Sequence, residues 1–231
     1  MFYFDPTYFL VIIGAVICLL ASARVKSTYQ KYSAYRSMSG LTGAQAAERI
    51  LHAAGIYDVQ IRQVSGSLTD HYNPSNKTLN LSDTVCNATS VAAIGVAAHE
   101  CGHAIQHAKG YLPLTLRSAF VPVANFGSIL AWPILIIGAL MNNAMSMTLI
   151  NVGIILFSFA VIFQLITLPV EFNASRRAMG MLCDLGILGE GELRQTGKVL
   201  RAAALTYVAS AAAAILQLLR VILLFGGKRR D

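Results

Sequence analysis

Residues 148–178 read TLINVGIILFSFAVIFQLITLPVEFNASRRA. The first 21 of them, 148–168, carry no charge. At 1.5 Å per helical residue such a run covers about 30 Å, the hydrocarbon thickness of a bilayer. Glu171 follows three residues later, and Arg176 and Arg177 come soon after. A carboxylate this close to an apolar run is costly unless it is paired or holds a cation. The stretch therefore predicts a membrane span that delivers one special acid to its end.

The rest of the chain agrees. Of 231 residues, 55% are hydrophobic and only 13% charged, with mean hydropathy +0.58, against roughly 25% charged in soluble domains. This excludes an ordinary soluble enzyme and a disordered tail. Cysteines scattered at 18, 86, 101 and 183 exclude a disulfide scaffold. The net charge of +7 sits in blocks beside apolar runs without aromatic interleaving, so no nucleic-acid partner is expected.

Two further uncharged runs qualify as spans. One covers 7–23, with Phe2, Tyr3 and Phe4 as an interfacial anchor and Arg24, Lys26, Lys31 and Arg36 directly after it. Basic residues after the run, and no basic n-region before it, favour an anchor that stays over a cleaved signal peptide. The other covers 120–140 and forms a hairpin with 148–168 through the short link 141–147. Nine Lys or Arg lie in 24–118, and five more (Arg176, Arg177, Arg194, Lys198, Arg201) follow the third span, which places both segments on the cytoplasmic side. A fourth run, 202–225, is Ala-rich and carries Gln217 and Arg220. Full crossing would put Lys228, Arg229 and Arg230 outside, against the charge rule, so a span and a re-entrant or cytosolic-face helix both stay open.

The expected architecture is a mainly α membrane protein with a small α+β cytosolic domain. Its segments are an anchor (1–24), a cytosolic segment (25–118), a transmembrane hairpin (119–169), a second cytosolic segment (170–201), and a C-terminal apolar helix with a basic tail (202–231). Within 25–118, Thr42-Gly43-Ala44-Gln45 has the capping-box pattern, and Ala46, Ala47, Ile50, Leu51 and Ala54 share one helical face that Gly55 ends. Val59 and Ile61 alternate with polar neighbours, as do residues 78–82 after the turn-rich stretch 72–76, which predicts two short strands. From about residue 89 a helix runs to Lys109 and Gly110.

That helix holds His99-Glu100-Cys101-Gly102-His103. Residues i and i+4 share a helix face, so both imidazoles can reach one ion. Glu100 is placed to take a proton from a water held there. Chance gives this three-residue pattern about two times in a thousand at this His and Glu content. A catalytic zinc usually has a third protein ligand. His107, His71, Asp83 and Glu171 are candidates, and Glu171 fits best because of the cost noted above. Cys101 lies about 100° around the helix from Glu100 and reads as a small apolar packer. Gly102 lowers helix propensity by about 1 kcal/mol relative to Ala, a loss that close packing can offset.

His-Glu-x-Gly-His, a transmembrane hairpin, then Glu-Phe-Asn-Ala-Ser-Arg-Arg-Ala, together with Asp70-His71-Tyr72-Asn73-Pro74, resembles the bacterial YugP-type neutral zinc metallopeptidases. These share their design with the HtpX-type and CAAX prenyl membrane endopeptidases. The resemblance covers nearly the whole chain. It implies a gluzincin-like fold, Zn2+ as cofactor, His99, His103 and Glu171 as its ligands, and Glu100 as catalytic base. Position 175 is Ser where the HtpX-type pattern Glu-x-x-Ala-Asp has Asp, which leaves open what supports the ligands from behind.

Residues 78–82 would form an edge strand along which a substrate can lie through main-chain hydrogen bonds. Asn80 and His71 are the candidate substrate-binding side chains. His71, Tyr72, Arg176 and Arg177 are candidates for stabilising an oxyanion. The function expected is a multi-pass cell-membrane zinc endopeptidase acting on membrane proteins or peptides near the cytoplasmic face. The alternative is a zinc-binding membrane sensor or scaffold without turnover.

Overall fold

The computed structural model describes residues 5–143 and 145–226. The elements in chain order are α1 (Tyr8–Ser33), α2 (Gly43–Ala53), β1 (Gln60–Val64), β2 (His71–Asn73), β3 (Thr78–Ser82), α3 (Asp83–Cys86), α4 (Val91–Ala108), α5 (Leu112–Leu140), α6 (Met145–Asp184) and α7 (Glu190–Gly226). The described residues are mainly helical, with one small sheet. Four helices, α1, α5, α6 and α7, are long and apolar enough to cross a membrane. The aromatic anchor expected at 2–4 and the basic tail at 228–230 lie outside the described residues.

Two compact units divide the chain. One comprises 1–21, 116–168 and 206–231; the other comprises Ser22–Thr115 and Pro169–Leu205. In the first unit large apolar side chains face outward, including Phe9, Leu19, Ile129 and Ile155, as lipid contact requires. The hairpin of α5 and α6 interlocks through edge-on ring pairs, Phe120 with Phe159 and Trp132 with Phe157. Pro122 and Pro133 sit inside α5, which transmembrane helices tolerate because neighbouring groups take up the freed backbone.

The fourth run is one unbroken helix. Within this unit α7 lies antiparallel to α1. A Cβ added to Gly14 would come 3.2 Å from Ala213, and Arg220 pairs with Asp5 at 3.1 Å with its guanidinium over the Tyr8 ring. The charge inside the fourth run, Arg220, is thus met by the carboxylate of Asp5.

The second unit has its core between α2 and α4. Ala46, Ala47, Ile50 and Leu51 of α2 and Ile94, Ala97, Ala98 and Cys101 of α4 are fully or almost fully buried in one cluster. The capping box forms as expected: the Thr42 hydroxyl accepts from Gln45 N–H, and the Gln45 side chain accepts from Thr42 N–H. Ser90 caps α4 by accepting from Ala93 N–H. Thr196 of α7 donates to the Val91 carbonyl and fastens the start of α4.

The sheet order is β1-β3-β2, with β1 parallel and β2 antiparallel to β3. This corrects the expectation that 78–82 forms an edge: β3 is the central strand, and all five of its residues are buried. Its polar side chains are satisfied from both sides. Thr78 donates to Asn76, Asn80 donates to His71 and Thr78, and Ser82 donates to Asp70. The edges are β1 and β2, the latter formed by residues expected to be a turn. Residues 170–201 are also almost wholly helical, since α6 continues through Pro169 to Asp184.

Candidate metal centre

Helix α4 presents His99 and His103 one turn apart, with ring centroids 4.9 Å apart and planes nearly perpendicular. Helix α6 brings Glu171, 2% exposed, against them. Its Oε2 lies 3.3 Å from His99 Nε2 and 3.6 Å from His103 Nε2. Donors about 2.1 Å from a tetrahedral zinc are separated by roughly 3.4 Å. These two distances match that edge, and all three donor atoms lie within 4.8 Å of one another, so the donor set fits a zinc ion. Among the described residues these three are the group of His, Cys, Asp and Glu that could hold a metal.

Close helix packing makes the convergence possible. A Cβ on Gly102 would sit 2.5 Å from the Ala174 carbonyl oxygen and 3.0 Å from its Cα, so only glycine lets α4 and α6 approach this closely. The close packing expected at Gly102 is present.

Both imidazoles are held from behind. His99 Nδ1 is 3.0 Å from Ser175 Oγ, and His103 Nδ1 is 3.0 Å from Gln106 Oε1. With Nε2 facing the ligand point, each Nδ1 carries the hydrogen and donates it, which fixes tautomer and ring orientation. Gln106, wholly buried, donates in turn to the Val170 carbonyl and to Asn173. Ser175 therefore fills the place where the resemblance led one to look for Asp.

Beyond the apolar run, burial disfavours the charge on Glu171. Hydrogen bonds and charge from His103 and His99 more than offset this and hold its carboxyl far below the ordinary carboxylate range. Glu100, the neighbour of His99, is itself buried, and its Oε2 accepts from Tyr72 N–H at 3.0 Å. The edge strand β2 is thereby tied to the acid beside the first histidine.

A family model described as "Putative neutral zinc metallopeptidase" matches residues 7–226. The chain belongs to this family. A relative in Bacillus subtilis (strain 168), named "Putative membrane protease YugP", is 48% identical over 217 residues, which is 94% of this chain and 95% of the relative. No solved structure matches.

The remaining residues singled out in this member of the family fall into clear places. His107 Nδ1 lies 2.8 Å from the Tyr72 hydroxyl, outside the ligand group. Asp83 accepts from Gln63 and from Gly66 N–H at the start of α3. His71 sits on edge strand β2; its Nδ1 faces the Thr69 carbonyl and its Nε2 faces the Asn80 amide. Asn80 is buried on β3 behind it. Arg177 donates to Asn173 and stacks over Tyr111, whereas Arg176 is exposed. Burial pushes the Cys101 thiol far up, as suits an apolar packer.

Gln106, Asn173 and the Tyr72 backbone N–H were not singled out by the sequence reading. The available signal was a Gln three residues after a ligand in an otherwise apolar helix.

Proposed function

We propose that the protein is a membrane-bound zinc metalloendopeptidase that hydrolyses peptide bonds of membrane-associated proteins or peptides near the cytoplasmic face. The carrying observation is that Glu171 lies at tetrahedral-edge distance from both His99 and His103, with Glu100 buried beside them. His99, His103 and Glu171 would hold the zinc. When bound there, zinc supplies Lewis acidity that polarises the scissile carbonyl and makes a water nucleophilic near neutral pH.

The chain's own groups handle the protons. Glu100 Oε2 is engaged by Tyr72 N–H, so Oε1 takes the proton of the attacking water and returns it to the departing amine. Ser175 and Gln106 keep both imidazoles in the orientation this needs. The outer edge of β2 offers main-chain groups to an extended substrate, in the manner of a gluzincin. His71 lies on that edge and would contact substrate, while Asn80 orients its ring. The cytoplasmic placement rests on the basic residues at 24–36 and 176–201.

Glu100→Gln tests the reading. The variant is expected to keep one equivalent of zinc and to lose about 10²–10⁴-fold in hydrolysis of membrane peptides. A variant that hydrolyses as fast as the parent removes Glu100 from the chemistry.

A further inference from the structure

The second unit contains a cavity of about 1090 Å³ lined by segments of α1, α6 and α7. Five cations face it: Arg24 and Lys31 from α1, Arg176 from α6, and Lys198 and Arg201 from α7. No Asp or Glu lines it. All five are exposed, and none takes part in an ion pair among the described residues. The spacings along α1 (i, i+7) and α7 (i, i+3) put each helix's two charges on one face. Lys31 and Lys198 lie over the Tyr32 ring at 5.7 and 6.0 Å, but none of the five has a carboxylate partner among the described residues, so their mutual repulsion favours an anion among them.

The rest of the lining sets the kind of anion. Phe172, Met179, Leu200 and Leu205 add an apolar wall, so the occupant carries hydrocarbon as well as charge. The volume lies just above the roughly 300–1,000 Å³ range of pockets for drug-sized molecules, far more than inorganic phosphate fills. Position along the chain points the same way. Arg24 directly follows the apolar run 7–23, Phe172 comes four residues after the run 148–168, and Leu205 belongs to the run 202–225. Residues that follow or belong to three apolar runs thus line this cavity, where spans of that length are expected to meet lipid headgroups. Arginine and lysine there attract anionic lipid phosphate.

We propose that this cavity binds the phosphate headgroup of an anionic phospholipid. The lipid would adjoin the metal centre, since Ser175 both lines the cavity and receives the hydrogen bond of His99. Binding is measured without turnover, so the proposal stands or falls separately from the peptidase reading.

The test uses the full chain, delipidated in mild detergent and loaded with zinc. Binding of phosphatidylglycerol, phosphatidylcholine and inorganic phosphate is read by native mass spectrometry and by thermal unfolding. One phosphatidylglycerol per chain is expected, with phosphatidylcholine and inorganic phosphate neither replacing it nor raising Tm. Arg24→Gln/Lys198→Gln/Arg201→Gln is expected to weaken binding at least about tenfold while keeping its zinc. A control with equal charge loss elsewhere, Arg49→Gln/Arg62→Gln/Lys109→Gln, is expected to stay within about twofold of the parent.

Should the triple variant fail to fold, Arg201→Gln alone must still weaken binding and Lys198→Arg must not. Equal losses in the triple variant and its control would reduce the cavity to general surface charge and overturn the proposal. So would phosphatidylcholine binding as tightly, inorganic phosphate giving the same stabilisation, or an acidic peptide displacing the lipid.

Discussion

The two units handle charge beside apolar surroundings in opposite ways. In the apolar unit, large hydrophobic side chains face outward and Arg220 is met by one acid, Asp5. In the other unit the hydrophobic side chains of α2 and α4 face inward, and buried Glu171 is met by two imidazoles. The first pairing is a closed ion pair. The second keeps one carboxylate oxygen and two ring nitrogens aimed at a common point, as a metal requires. Helices α1, α6 and α7 contribute to both units, so the surroundings, and not the element, decide which residues are turned in.

The largest effect that separates the two is expected from His103→Ala. It removes one of three ligands, and zinc per chain, read by elemental analysis, should fall from about one to below about 0.1 with hydrolysis lost. Unchanged metal would remove the ligand set. Next comes Gly102→Leu. Its side chain cannot fit against Ala174, so α4 and α6 must part, at a cost of about 1–3 kcal/mol in unfolding and with loss of zinc. Gly102→Leu with normal Tm and full zinc would show that close approach is not what assembles the site.

Arg220→Met sharpens the contrast from the other side. It leaves Asp5 without its cation, and about 1 kcal/mol of stability in detergent is expected to go, since polar pairs within membranes are worth little more than that. Asp5→Asn in the same chain should restore most of it. Zinc content should not move in either variant, and a loss of metal would mean that Arg220 and Glu171 are coupled.

Much of this was legible in the sequence wherever the determinant is local. The capping box at Thr42 and Gln45 and the i, i+4 histidines each depend on neighbours within one turn. Strand order does not. Alternation at 78–82 marked the strand's limits but could not tell centre from edge, because burial of Thr78, Asn80 and Ser82 depends on partners contributed by Asn76, His71 and Asp70. Strand β2 was hidden for the same reason: three residues beside Pro74 carry turn signals, and only pairing with β3 and with Glu100 makes them a strand. An apolar run likewise marks where lipid is met and not where a helix ends, which is why α6 runs on past 168. Ser175 read as a departure, yet a hydroxyl suffices to accept one N–H.

The smallest expected effect concerns a third carboxylate, which has neither a cation nor an imidazole among its hydrogen-bond partners. Asp70 accepts from Ser82 N–H at 2.7 Å and from the Ser82 hydroxyl at 2.9 Å. Burial raises its pKa above the ordinary value, more than those two bonds lower it, with the charge of Glu100 adding to the rise. The folded chain then holds this proton more tightly than the unfolded chain. Stability contributed by the group is therefore full below the unfolded carboxylate range, declines as pH climbs through the raised value, and is flat above it. Asp70→Asn should lower Tm at acidic pH, where it weakens the contact with Ser82, and should flatten the slope of Tm against pH across that window. A slope that is unchanged in the variant would assign the dependence to other carboxylates and leave Asp70 as a neutral tie between the strand and its loop.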